Sequence, residues 1–158
     1  EAFYEYLFDV IECIEDKDIV FVIKEHPSDS RVYSEFHARH PRIKFTNNNT
    51  EDLIRDAQAI ITLNSSVGIE AAMLEKKVII LGDACYAVDG MTLTAAPGKE
   101  LVEVINDSAV WEPDLCVTRS FFAYLTEEYC LPGAWQNQVD VVDGKHLKVF
   151  ESKITSSI

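Results

Sequence analysis

The spacing of apolar positions along this chain changes period repeatedly before residue 82, and each change marks an element. Tyr4, Leu7, Phe8, Ile11 and Ile14 recur at three- and four-residue intervals, which predicts an amphipathic helix over 2–15 resting on a sheet. Asp16-Lys17-Asp18 then turns the chain. Residues 19–23 form an unbroken β-branched and aromatic run, the pattern of a strand buried on both faces. A short polar helix is expected over 30–39 and a short strand over 43–45, ended by Asn47-Asn48-Asn49. Asn49 or Thr50 can cap a helix over 51–57. A strand over 59–63, a helix over 68–74 and a strand over 78–81 follow with almost no spare residues.

Such tight alternation predicts an α/β fold: a Rossmann-like parallel sheet with right-handed crossovers and helices on both faces. Beyond Gly82 the pattern loosens. Residues 85–90 read as a loop, 91–94 as a brief edge strand, and 98–106 as a helix with Leu101, Val102 and Ile105 inward. A long helix is expected over 113–130, carrying Leu115, Phe121, Phe122 and Leu125; the tail from Leu131 shows no clear period. The whole of 1–158 is expected to form a single domain, with 107–158 as its helical carboxyl-terminal extension.

Open parallel sheets bind ligands outside the carboxyl ends of their strands. Two motifs fall at such ends. Lys24-Glu25-His26-Pro27 follows the first strand, and Leu63-Asn64-Ser65-Ser66-Val67-Gly68-Ile69-Glu70 joins the 59–63 strand to its helix. The free N–H groups and positive dipole end of a helix start attract phosphate, and serine hydroxyls add hydrogen bonds without bulk. Ser65 and Ser66 serve equally well as ordinary capping residues, so contact with phosphate and plain capping both stand. Pro27 restricts the backbone of His26 and aims its imidazole, which can donate to a phosphate oxygen or assist a phosphate leaving group; a loop histidine bonded to backbone is the bland alternative. Glu70 either accepts from ribose hydroxyls or offsets the helix dipole, and Gly68 admits a close approach of backbone or ligand or simply packs. Asp83 binds a sugar hydroxyl or starts a turn.

Composition narrows the partners. With 158 residues, a net charge of −13 and an isoelectric point near 4.6, the chain offers no basic face for nucleic acid or anionic lipid. Any anion must be held by local groups, Lys24 and His26 among them. Cys13, Cys85, Cys116 and Cys130 have no metal-ligand or CxxC spacing and read as reduced thiols. Asp16-Lys17-Asp18 mimics a metal-binding DxD but precedes a strand, so it lies at the wrong end of the sheet; His37 and His40 lack a third ligand. No metal and no cofactor are expected. No apolar run approaches the roughly 20 residues that span a bilayer, and no signal peptide opens the chain. The expectation is a cytoplasmic domain, reaching the inner membrane only through other parts of a longer protein. The absence of an initiator Met agrees with an excised piece. GxSxG, HExxH, Walker and GxGxxG motifs are all missing, which leaves nucleotide-sugar chemistry.

Lys24-Glu25-His26-Pro27, Asn64-Ser65-Ser66-Val67-Gly68-Ile69-Glu70-Ala71, and Val78 to Ala84 with Tyr86 and Gly90-Met91-Thr92 resemble the capsule polysaccharide synthesis proteins that include bacterial β-Kdo transferases. Kdo is 3-deoxy-D-manno-octulosonic acid. The resemblance spans roughly 20–94. It implies one half of a GT-B glycosyltransferase, the carboxyl-terminal Rossmann-like domain that binds a nucleotide-sugar donor, with CMP-Kdo favoured. The partner would be an amino-terminal Rossmann-like domain carrying the site for a glycan or glycolipid acceptor. The His-Pro and Ser-Ser motifs are also similar to those that hold CMP in bacterial sialyltransferases. Residue by residue, the resemblance implies that His26, Ser65 and Ser66 contact the donor phosphate and that Glu70 meets the ribose, with Lys24, Pro27 and Gly68 completing the donor site. Tyr86 and Thr92 match the pattern without an assigned role. UDP-sugar or CDP-glycerol transferases, a nucleotide-sugar epimerase, and a non-catalytic sugar-nucleotide or scaffold domain are the alternatives. This half alone is expected to bind nucleotide without turnover.

Overall fold

The alternating pattern resolves into α1 (Ala2–Cys13), β1 (Phe21–Ile23), β2 (Ile43–Phe45), α2 (Thr50–Asp56), β3 (Ala59–Thr62), α3 (Val67–Met73), β4 (Lys77–Ile80), β5 (Leu93–Thr94), α4 (Lys99–Asp107) and α5 (Leu115–Tyr124). This is a computed structural model, which describes residues 2–25, 34–37 and 39–129. Residues 1–115 form one compact unit and 116–158 a second.

Every strand pairing among the described residues is parallel. β1 pairs with β2, Phe21 opposite Ile43, and β3, β4 and β5 pair in that order, Ile60 opposite Val78 and Ile79 opposite Leu93. Parallel neighbours need a connection that returns over a sheet face; α3 supplies it between β3 and β4, whereas β4 and β5 are joined by a stretch without a helix. The strands thus form two hydrogen-bonded groups rather than one continuous ladder. Both feed a common core: Phe21, Ile23 and Ile43 from the first group and Ile61, Ile79 and Leu81 from the second pack with α1 and α4. Alternation puts Val78 and Ile80 on the opposite face of β4, where they are buried at 0% and 1% exposure and α3 packs through Ala71 and Ala72. The fold is therefore α/β and Rossmann-like, parallel sheets flanked by helices.

Several expectations shift for identifiable reasons. The first helix stops at Cys13, not 15, because the Lys17 ammonium donates to the Glu12 and Ile14 carbonyls at 2.9 and 2.8 Å and closes its carboxyl end. The first strand is not buried on both faces. Phe21 and Ile23 turn to the core while Val20 and Val22 are 42% and 55% exposed, because among the described residues no helix covers that side of β1. The helix expected over 30–39 is absent from its described part. Residues 34–37 close single turns, His37 N–H to Ser34 and Arg39 N–H to Phe36, and side chains hold the segment instead. Phe36 is buried against the rings of Tyr4 and Phe8, at 5.1 and 6.1 Å, and the Arg39 guanidinium lies 4.7 Å above Phe8 while gripping Glu5 at 2.6 and 3.1 Å. That grip holds the Glu5 carboxyl below its ordinary value, and a hydrogen bond from His40 does the same for Glu12.

The α4 helix begins after Gly98, whose φ of 112° favours glycine, and buries Leu101 and Ile105 as expected, with Val102 partly buried beside them. In the second unit, α5 gives way at Leu125 to a π-helical turn over Leu125–Tyr129 instead of continuing as α-helix to 130. The Thr126 hydroxyl donates to the Phe122 carbonyl, competing with the helical ladder at that point. Cys130 and the tail from Leu131 lie outside the described residues. No described helix is long and apolar enough to cross a membrane.

Candidate functional site

The serine turn leaves β3 at its carboxyl end and enters α3 directly. Its backbone is held on several sides. The Ser65 N–H donates to the Thr62 hydroxyl at 3.3 Å, and the Ser65 carbonyl accepts from both the Tyr86 hydroxyl, at 2.5 Å, and the Gly68 N–H, at 3.0 Å. Ser65, not Ser66, supplies the cap: its hydroxyl accepts from the Val67 N–H at 3.3 Å, while the Ser66 side chain makes no capping bond. Ser66 is exposed, and its N–H has no hydrogen-bond partner among the described residues. Capping thus accounts for Ser65 and leaves the Ser66 hydroxyl and amide open among the described residues.

Gly68 is explained by close packing. A Cβ at this position would lie 2.5 Å from the Tyr86 hydroxyl oxygen and 2.6 and 2.8 Å from two of its ring carbons, nearer than real Cβ atoms come. Tyr86 is itself 1% exposed. Burial pushes its phenol above the ordinary value, the neighbouring Cys85 adds to the rise, and a side-chain hydrogen bond with Thr62 partly offsets it. The loop backbone at Tyr86 is tied as well, since the buried Thr92 hydroxyl donates to the Tyr86 carbonyl and accepts from the Val88 N–H, both at 3.3 Å. Tyr86 and Thr92, which sequence reasoning left without a role, are therefore the wall behind the serine turn. The available signals were a glycine inside a helix start and an isolated aromatic in a polar loop.

Glu70 sits one helical step inside α3, exposed, its N–H bonded to the Ser66 carbonyl at 3.1 Å. Lys24 stands at the carboxyl end of β1, where its ammonium donates to the Asn48 carbonyl at 2.7 Å and the Thr50 hydroxyl at 2.8 Å, tying the strand to the start of α2. Asn49 caps that helix through bonds from the Glu51 and Asp52 N–H groups. His26 and Pro27 lie outside the described residues, so Ser65, Ser66, Gly68 and Glu70 are the site residues gathered on one turn. A cavity of about 650 Å³ opens at the carboxyl ends of β4 and β5, lined by Gly82, Asp83, Cys85, Ala95 and Glu100. Another hollow, about 500 Å³, runs along β2 past His37 and His40, whose imidazoles are engaged, His40 with Glu12 at 2.6 Å and His37 against the Phe45 ring at 4.2 Å. Asp16-Lys17-Asp18 forms a turn closed by the Asp18 N–H on Asp16 at 2.8 Å. Among the described residues no group of three or more His, Cys, Asp or Glu side chains is placed to hold a metal ion. Among the described residues no disulfide joins Cys13, Cys85 and Cys116.

Parallel sheets flanked by helices, with a polar turn at a strand's carboxyl end, place this chain in the Rossmann-like class. It belongs to the capsule polysaccharide biosynthesis protein family, whose sequence profile matches residues 5–115. Among curated relatives it is 35% identical over 152 residues to Protein FixF of Sinorhizobium fredii, covering 94% of this chain and 37% of FixF. It is 33% identical over 119 residues to the capsule polysaccharide export protein KpsS of Escherichia coli, covering 69% of this chain and 29% of KpsS. The chain thus spans about a third of the length of these relatives. No solved structure matches it significantly.

Proposed function

We propose that this chain is the donor-binding domain of a capsule or lipopolysaccharide glycosyltransferase, with a nucleotide sugar as ligand and CMP-Kdo as the favoured donor. The observation that carries the reading is the serine turn: a Ser66 hydroxyl and amide that meet no partner among the described residues, at the carboxyl end of a parallel strand, in a family of capsule polysaccharide biosynthesis proteins. In this reading the donor phosphate rests on Ser65 and Ser66, and Glu70 receives the ribose. The nucleoside extends toward the cavity beside Asp83. His26, on the Lys24-Glu25-His26-Pro27 segment, supplies positive character to the phosphate as the sugar departs. The acceptor site and the second Rossmann-like domain belong to other parts of a longer protein.

A titration of the chain with CMP, CDP, UMP and UDP tests this. Selective CMP binding that is lost in the Ser65→Ala plus Ser66→Ala variant supports a CMP-sugar transferase. Preference for UDP moves the reading to UDP-sugar transferases or epimerases. The name of KpsS assigns that relative to export, and this favours a second reading, a non-catalytic domain of capsule handling; binding of none of the four nucleotides selects it.

A further inference from the structure

We infer that Tyr86 is a positioning residue for the serine turn, setting the direction in which the Ser66 amide is presented to an anion. The inference rests on the nucleotide-site reading above and adds a residue to it. A trans peptide is planar, so its C=O and N–H point in opposite directions. The peptide joining Ser65 to Ser66 is trans, as are all peptide bonds described here. Its carbonyl is held by two donors, the Tyr86 hydroxyl at 2.5 Å and the Gly68 N–H at 3.0 Å. With the carbonyl fixed toward Tyr86, the Ser66 N–H is fixed away from it, on the side where it meets no described partner.

Three further features show that the arrangement is built rather than incidental. Gly68 leaves room for the phenol ring where any side chain would collide with it. The Thr92 hydroxyl donates to the Tyr86 carbonyl, which anchors the backbone from which the ring projects. Burial keeps the phenol protonated well into the alkaline range, so it remains a donor under ordinary conditions. The Gly68 N–H alone would leave the carbonyl satisfied, so the fold does not depend on the phenolic hydroxyl; what the hydroxyl adds is direction. Donors held in place before the anion arrives lose no ordering free energy on binding.

The test is Tyr86→Phe, which keeps the ring against Gly68 and removes only the hydroxyl. Wild type, Tyr86→Phe and the Ser65→Ala plus Ser66→Ala variant are titrated with CMP, and the Ser66 amide is followed by NMR in the free proteins. The expected result is a threefold to tenfold weaker dissociation constant for Tyr86→Phe, roughly the worth of one hydrogen bond. A shifted Ser66 amide resonance and unchanged β4 amides should accompany it. Wild-type affinity in Tyr86→Phe, with the serine variant impaired, overturns the inference and leaves the nucleotide site standing. Failure of the wild-type chain to bind CMP, CDP, UMP or UDP overturns the site itself and the inference with it.

Discussion

β1 and β4 carry nearly the same kind of sequence and have opposite surroundings. Phe21–Ile23 is as apolar as Val78 to Ile80, yet Val22 is 55% exposed while Val78, Ile79 and Ile80 are all within 1% of full burial. The difference is made by neighbours. β4 lies between β3 and β5, with α3 on one face and the α1–α4 core on the other, whereas among the described residues β1 has one strand partner and one clad face. The loops that follow inherit the difference. The segment after β4 drives Tyr86 into the interior and braces the serine turn; at the end of β1 the exposed Lys24 reaches instead to Asn48 and Thr50.

The largest contrast is expected from truncation. Ile79→Ala should cost 2–5 kcal/mol, as buried isoleucine truncations do, while Val22→Ala stays within about 0.5 kcal/mol; urea unfolding of both variants measures this. Equal losses would mean that β1 is as enclosed as β4. Next in size is Gly68→Ala, which should cost about 1–3 kcal/mol by forcing a Cβ into the Tyr86 ring. In a Tyr86→Ala background the same substitution should cost nearly nothing, and that non-additivity, read from a double-mutant cycle, identifies the ring as the obstacle.

The pH dependence follows from the raised pKa of Tyr86. The folded state keeps the proton that the unfolded state begins to release near pH 10, so above that pH the native protein binds more protons and stability falls as pH rises. The stabilising contribution is fully present below the unfolded value and is lost as pH climbs through the folded one. Tyr86→Phe should flatten that alkaline decline in thermal melts between pH 9 and 11. The smallest effect belongs to the other strand end. Lys24→Met should cost less than about 1 kcal/mol, since the hydrogen bonds of the ammonium to Asn48 and Thr50 are exposed.

Much of this architecture was legible from period alone. Ala59–Thr62, Val67–Met73 and Lys77–Ile80 lie within a residue or so of their expected bounds, because short connections and strong alternation leave little freedom. What periodicity could not convey was enclosure. Nothing in Val20 or Val22 says that one face lacks a cover, and Phe36 is buried by aromatic partners distant in sequence rather than by a helix. The same holds at the site. Ser65 and Ser66 looked interchangeable, and only the backbone shows one serine occupied as the cap and the other open. Gly68 reads from the sequence as a point of close approach or of packing, but what packs there is Tyr86, in a loop beyond the next strand.

The central claim is that the serine turn receives the phosphate of a nucleotide. Its most direct test is an amide-resolved NMR titration of the whole chain with CMP. The account predicts saturable shifts concentrated at Ser65, Ser66 and Val67, spreading toward Asp83 and absent from the β2 residues beside His37. Saturable shifts confined to the β2 hollow, or none at the serine turn, would contradict it.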